Sequence, residues 1–157
     1  MAGCALPFEL IVQRQLKKRA PVEKPVDFVT THRASFQEID QYGHLNTMYY
    51  VSYFLTHRFT ALRERFELGL QAIHALDIGL YTKHMELSFL RPVVGDRAFS
   101  ISSSVTSRTE ETCRIECKMF DEQARTLATC ALDLTCVDKK SGKSVPWPEG
   151  FLERFYE

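Results

Sequence analysis

The residues best suited to chemistry lie in one short loop. Asp40 and His44 stand four positions apart with Gly43 between them, and an apolar run follows at once. If that run is a helix, its first backbone N–H groups and its positive dipole end lie beside the Asp40 carboxylate. A carboxylate that activates water, next to N–H donors that hold an oxyanion, suits hydrolysis by acyl transfer. This loop gives the first hypothesis about function.

The element that must position the loop is a long helix. Residues 47–66 contain no Gly or Pro and are long enough for five helical turns. Asn46 is the expected N-cap, because its side chain can accept from the first free N–H groups, and Gly69 is a stop signal. The first half of the run is apolar and the second half is charged. This profile predicts a helix that is buried at its N-terminal end and reaches solvent at its C-terminal end.

Alternating apolar and polar residues predict five strands. They lie at residues 27–36, 81–90, 97–107, 112–120 and 127–137. The last two form a hairpin, in which one allowed register sets Cys117 opposite Cys130. A single sheet covered by one helix is an α+β two-layer fold. Because one helix cannot cover five strands, we expect a homodimer or homotetramer.

Composition excludes several classes of protein. The chain has 157 residues, which fits one domain at 26–157 behind an extension or linker at 1–25. Its 20 basic and 20 acidic residues cancel, so the charge gives no support for nucleic-acid binding. No apolar run approaches the roughly 20 residues that cross a membrane. Five scattered Cys argue against a disulfide framework and a zinc site, and predict reduced, buried thiols in a cytoplasmic protein.

Two motifs together resemble a known family. They are Asp40-x-x-Gly43-His44-x-Asn46-x-x-Tyr49-Tyr50 and the stretch at residues 85–96, which ends in a Pro-x-x-Gly-Asp turn. Over roughly residues 27–140 the chain is similar to hot-dog-fold acyl-CoA thioesterases of the 4-hydroxybenzoyl-CoA thioesterase-like family. The resemblance implies an antiparallel five-stranded sheet wrapped around one long central helix.

The resemblance also implies catalytic roles. Asp40 matches the nucleophile or general base that acts on the thioester, and the Thr47 backbone N–H matches the oxyanion donor. The residue chemistry agrees, because a thioester is attacked either by a carboxylate or by water that a carboxylate deprotonates. The structural alternative is that Asp40 only caps its loop by accepting backbone N–H bonds.

The other loop residues have more than one reading. Acyl-ACP thioesterases of this fold carry a His at the place of His44, but Tyr42 stands where they have Asn. His44 is therefore either a polar contact to substrate or a hydrogen bonder that fixes the loop. Gly43 is expected at positive φ or near the substrate, and Asn46 at the helix cap. Tyr50 lines the acyl pocket or is plain core.

Two further expectations concern residues outside the loop: arginines that bind the phosphates of the substrate, and other carboxylates that could replace Asp40. CoA phosphates call for basic residues near the mouth of the site. Arg91 is the expected substrate contact, and three other candidates lie in or beside strands and turns: Arg97, Arg108 and Arg125. Another hot-dog branch uses a helix Glu, but Glu64 and Glu67 lie in the charged, solvated end of the helix.

The sequence therefore predicts an acyl-CoA thioesterase that releases a carboxylic acid and CoA, with no metal or redox cofactor. An acyl-ACP thioesterase is the alternative enzyme. A hot-dog domain that binds acyl-CoA without catalysis is the alternative from another class, and Asp40 disfavours it, since a pure binder needs no carboxylate near the carbonyl.

Overall fold

The computed structural model describes residues 20–21, 27–149 and 151. Its helices are α1 at Thr47–Phe66 and α2 at Leu70–Ala75, with a 3-10 turn at Phe36–Glu38. Its strands are β1 at Ala20–Pro21, β2 at Phe28–Arg33, β3 at Ile78–Phe89, β4 at Ala98–Arg108, β5 at Thr112–Asp121 and β6 at Thr126–Asp138.

The strands form one antiparallel sheet. The order across it is β2–β4–β5–β6–β3, and the two-residue β1 pairs with the far end of β4. The predicted five strands and the long helix are confirmed. β1 adds a short pairing within the segment assigned to the extension, and β3 begins three residues earlier than predicted. The short helix α2 carries too few residues for a periodic signal and was missed.

The core lies between α1 and one face of the sheet. Of the registers that the sequence allows for the last hairpin, the structure has the one in which Cys117 pairs directly with Cys130. Neither residue is in a disulfide and both are buried, and the same holds for Cys113 and Cys136, while Cys4 lies outside the described residues. Burial raises the pKa of Cys117 to about 12 and that of Cys130 to about 11, so both remain protonated thiols.

The predicted burial profile of α1 is wrong. At its N-terminal end Met48 is 79% exposed, whereas His57 and Arg58 in the second half are buried. Burial follows a stripe along the whole helix, because residues three and four apart share the face that meets the sheet. The members of this stripe are Tyr50, Phe54, His57, Arg58, Ala61 and Leu62.

Two local predictions also need correction. The helix ends at Phe66, before Gly69. Its C-cap is Glu67, which adopts the left-handed conformation at φ 55°. Gly69 instead precedes α2, with an ordinary φ of −66°. The first strand, predicted over residues 27–36, ends at Arg33, and Phe36 beyond it is exposed.

A buried hydrogen-bond network joins α1 to β2 and β4. The His57 Nδ1 lies 2.6 Å from the Thr30 hydroxyl, and its Nε2 lies 2.8 Å from the Ser103 hydroxyl. The Thr30 hydroxyl also lies 2.6 Å from the His32 Nε2. His57 is therefore a satisfied core histidine, as expected for a histidine without an identifiable catalytic partner. Burial, together with the nearby His32, lowers the pKa of His57 to about 4.

This pKa predicts a loss of stability in mild acid. The folded state resists protonation of His57 down to about pH 4, while the unfolded chain binds the proton near pH 6.5. The free energy of unfolding should therefore fall as the pH drops from about 6.5 to about 4, by at most roughly 3 kcal/mol. Urea unfolding across this range measures it. The decline should shrink in His57→Gln and persist in His84→Gln, a change at an exposed histidine.

Candidate active site

The Asp40 loop closes on itself through backbone hydrogen bonds. The Asn46 N–H donates to the Glu38 carbonyl at 2.8 Å, and the Asp40 N–H donates to the His44 carbonyl at 2.8 Å. The chain reverses through Gly43, whose φ is +76°, so the predicted positive φ is confirmed. An added Cβ at Gly43 would meet no atom within 4 Å, so the requirement for glycine is conformational.

The Asp40 carboxylate caps this loop with one oxygen. Its Oδ1 accepts the Tyr42 N–H at 2.8 Å and the His44 N–H at 3.1 Å. The Oδ2 accepts no hydrogen bond from any described residue, and the side chain is half-buried. The structural role weighed for Asp40 is therefore present, and it leaves the second oxygen available for a proton or a ligand.

The start of α1 leaves one backbone donor open. The Asn46 side chain accepts the Met48 N–H at 3.1 Å, and its carbonyl accepts the Tyr49 N–H at 2.9 Å. Asn46 is thus the N-cap, as predicted. Within residues 27–149 the Thr47 N–H makes no hydrogen bond. It is the free donor at the positive end of a twenty-residue helix.

The turn after β3 is bonded to the loop. The Leu45 N–H donates to the Val93 carbonyl at 2.9 Å, and the Gly95 N–H donates to the Gly43 carbonyl at 3.0 Å. His44 and Val94 form the bridge between these bonds. The two motifs that carried the family resemblance are therefore in direct contact.

Tyr50 ties the helix to the same turn. Its hydroxyl accepts the Val93 N–H at 3.1 Å, and its ring meets Phe89 edge to face at 5.0 Å. Burial raises the pKa of Tyr50, and the negative charge of Asp40 adds to this effect. Tyr50 is thus a buried core residue that ties the start of α1 to the turn beside the loop.

His44 fixes the loop with its backbone. Its N–H and carbonyl both bond to Asp40, while its half-buried imidazole makes no hydrogen bond within the described residues. His44 therefore fixes the loop through its backbone. This role, one of the two that the sequence left open for His44, does not need the imidazole.

A polar cleft of about 480 Å³ lies on the other side of the turn. Val93 and Val94 belong to the turn after β3 and also line the cleft. Because Val94 is bridged to His44, the cleft adjoins the loop. Its basic residues come from three segments: Arg91, Arg97 and Arg125. The sequence offers these arginines as candidates but does not group them, because the turn that carries Arg125 comes beside Arg91 only through the pairing of β3 with β6.

The basic residues of the cleft differ in their partners. Arg91 donates to the Thr126 carbonyl at 2.8 Å, and Arg125 pairs with Asp121 at 2.7 Å. Arg97 is exposed and makes no hydrogen bond or ion pair to a described residue. The alternative carboxylates Glu64 and Glu67 are exposed at the far end of α1, as predicted.

The described residues hold no group of three or more His, Cys, Asp or Glu side chains arranged around a possible metal ion. None of their helices combines the length and the apolar character that crossing a membrane requires.

Comparison with protein families gives a match over most of the chain. The model of the thioesterase-like superfamily matches residues 34–155, which include the whole Asp40 loop, α1 and β3 to β6. No curated protein matches the chain.

Solved structures match over most of the chain. A hypothetical protein of Staphylococcus aureus in complex with CoA has a TM-score of 0.77 at 15% identity, over 86% of this chain and 85% of that one. A 1,4-dihydroxy-2-naphthoyl-CoA thioesterase of Synechocystis has a TM-score of 0.76 at 17% identity, over 83% and 96%. The probable thioesterase YbaW of Escherichia coli has a TM-score of 0.73 at 17% identity, over 82% and 98%. The likenesses confirm the hot-dog fold, and at these identities they establish the fold alone.

Proposed function

The chain belongs to the thioesterase-like superfamily, and from the geometry of its Asp40 loop we propose that it hydrolyses acyl-CoA to a carboxylic acid and CoA. The observation that carries this proposal is that two groups are left open, one in the loop and one at the first residue of the helix that follows it. The Asp40 Oδ2 lacks a partner among the described residues, and so does the Thr47 N–H. One is a base or nucleophile and the other is a donor for an oxyanion.

In the proposed reaction the thioester carbonyl oxygen lies against the Thr47 N–H. The Asp40 Oδ2 takes a proton from water as the water oxygen attacks the carbonyl carbon, and the negative charge collects on the carbonyl oxygen. The C–S bond then breaks and releases CoA as a thiolate, which takes up the proton. In the nucleophilic variant, Oδ2 attacks the carbon itself, and the C–S bond breaks with release of the CoA thiolate. Water then hydrolyses the mixed anhydride to the carboxylic acid and the Asp40 carboxylate, and the thiolate takes up the proton that this step releases. Neither variant changes an oxidation state, so no redox cofactor is needed.

The loop bonds support Asp40 in this role. Two N–H groups hold Oδ1, which fixes the direction of Oδ2 and keeps the carboxylate ready for reaction. The Phe89 ring, which is half exposed and packs on Tyr50, offers an apolar surface that suits an acyl group. The imidazole of His44 is free for a polar contact with substrate. Gly43 and Asn46 then act by shaping the loop and the helix start.

The arginine cleft supports CoA as the carrier. CoA carries phosphates, which arginine binds well through paired N–H donors. The cleft adjoins the Asp40 loop through the turn at Val93, and Arg97 is its uncommitted cation. An acyl carrier protein has an acidic surface that the same arginines could meet, and a non-catalytic acyl-CoA binder would use the cleft alone. These remain the two alternative functions.

The free edge of the sheet supports a homodimer. Among the described strands, β3 pairs only with β6, although it is twelve residues long. Such an edge carries open backbone donors and acceptors, and it is covered when a second copy pairs with it. Tyr81 and Phe89 are exposed along this strand. The free thiols of the four described cysteines support the expectation of a reducing compartment such as the cytoplasm.

Asp40→Asn should lower kcat/KM for acyl-CoA by roughly 100-fold or more, the scale of general-base catalysis. The amide oxygen can still accept from Tyr42 and His44, so the loop and the thermal midpoint should survive. Asp138→Asn is the matched control, because Asp138 caps a distant loop through the Ser141 N–H at 2.7 Å. Hydrolysis is measured over short, medium, long and aromatic acyl-CoA and acyl-ACP substrates. A wild-type rate in Asp40→Asn would contradict the mechanism, and tight binding with no turnover of any substrate would establish the binding module.

Arg97→Gln should raise KM for acyl-CoA by about tenfold, the value of one charge-assisted hydrogen bond. It should leave the hydrolysis of the acyl-pantetheine thioester unchanged, since that substrate lacks the phosphates. Arg63→Gln, at an exposed arginine of α1, is the control. Equal effects of Arg97→Gln on both substrates would mean that the cleft does not bind the phosphates.

The dimer is tested by the molar mass in solution, measured by light scattering at micromolar concentration. We expect twice the chain mass of 18.1 kDa, or four times for a dimer of dimers. Tyr81→Glu on β3 should shift the mass toward the monomer, because it introduces charge at the proposed contact. Val29→Glu, at an exposed position of β2, should leave the mass unchanged. A monomeric wild-type protein would rule out this assembly.

A further inference from the structure

A second cavity lies beside the C-terminal half of α1, away from the Asp40 loop. Arg58, which lines it, stands eleven residues beyond Thr47, or about 16 Å along the helix. The cavity has a volume of about 40 Å³. Its wall is chiefly apolar and is contributed by α1 and the inner face of the sheet, including Leu62, Leu80, Val105, Ile115 and Leu134.

Arg58 is a buried cation with unused hydrogen-bonding capacity. The residue is 8% exposed, and its Nη1 donates to the Thr82 hydroxyl at 3.0 Å. Its guanidinium carbon lies 4.8 Å from the centre of the Phe59 ring. The buried Nε–H has no acceptor, and no carboxylate of the described residues forms an ion pair with this side chain. Burial lowers the pKa of Arg58, but an arginine starts so high that it keeps its charge.

Trp147 contributes a second unused donor to the same cavity. Its indole Nε1–H is buried and has no acceptor. The Trp147 backbone N–H donates to the Glu110 carbonyl at 2.9 Å, and the ring stacks on Phe151 at 5.6 Å. These contacts fix the position of the indole. Two fixed side chains with open N–H donors therefore line one small, apolar space.

A buried cation without an anion is costly, and so is a buried N–H without an acceptor. One ligand group can relieve both costs, because a carboxylate offers negative charge and two acceptor oxygens. We propose that this cavity binds a short aliphatic carboxylate, with its oxygens on Arg58 and Trp147 and its alkyl group against the apolar wall.

The size and lining of the cavity favour this ligand over other occupants. One water needs about 10–15 Å³ of such space, so the cavity holds roughly three waters or an acid the size of propionate. Water would satisfy the donors without neutralising Arg58. Chloride or phosphate would neutralise it without using the apolar wall. A short alkyl carboxylate does both.

The test uses the only tryptophan of the chain as its probe. The indole N–H resonance of Trp147 is followed by NMR while the full-length protein is titrated with propionate, at constant ionic strength set with chloride. The resonance should move saturably with propionate. Propionamide, which has the same shape and no charge, should bind at least tenfold more weakly. A response to chloride alone, or no saturation up to about 100 mM propionate, a weak limit for five heavy atoms, would overturn the proposal.

Substitutions assign the site to its two donors. Arg58→Met keeps an apolar stem of similar length and should weaken propionate binding at least tenfold, while Arg63→Met on the exposed face of the same helix should not change it. Trp147→Phe keeps a ring but lacks the N–H, and should weaken binding about fivefold by calorimetry, the value of one neutral hydrogen bond. Wild-type affinity in folded Arg58→Met would overturn the proposal, and unchanged affinity in Trp147→Phe would remove the indole from it.

Discussion

The candidate site depends on the backbone bonds between the Asp40 loop and the turn after β3. Leu45 and Gly95 each donate across this junction, and the hydroxyl of Tyr50 accepts from the middle of the turn. Each bond contributes only about 1 kcal/mol, but together they fix the loop and the start of α1 to a turn that is distant in sequence. Within the loop, one oxygen of Asp40 accepts two further backbone N–H groups. The second oxygen accepts no hydrogen bond from a described residue and is left open.

Asp40 combines a structural role with an oxygen that is left open for the proposed chemistry. A carboxylate has two oxygens with about four acceptor positions, and the loop uses only those of Oδ1. Two N–H bonds to one oxygen orient the plane of the group. A capping role and catalysis were alternatives for Asp40 in the sequence, and in the proposed mechanism the cap orients the carboxylate for the reaction. The same reasoning applies to Asn46, which satisfies Met48 and Tyr49 and leaves Thr47 open.

The sequence predicted what local rules decide. The limits of α1 follow from the absence of Gly and Pro and from the cap at Asn46, and the pairing of Cys117 with Cys130 follows from matching apolar faces. Prediction from the sequence failed where the burial of a residue depends on segments that are distant along the chain. Arg58 looked like part of a solvated helix end, yet strands β3 to β6 enclose it. No local pattern brings Trp147 to the same space, and none brings Arg125 beside Arg91.

The neighbours His57 and Arg58 show how buried polar groups differ in what they indicate. Both lie on the stripe of α1 that faces the sheet. His57 is neutral at physiological pH, and each of its ring nitrogens has a hydroxyl partner, so its hydrogen-bonding groups are satisfied without a ligand. Arg58 cannot lose its charge, and one hydroxyl is its hydrogen-bond partner. Desolvation is therefore compensated for His57 but only in part for Arg58, whose charge meets one hydroxyl and the Phe59 ring. The first arrangement stabilises a core, and the second is the one that the proposed anion would complete.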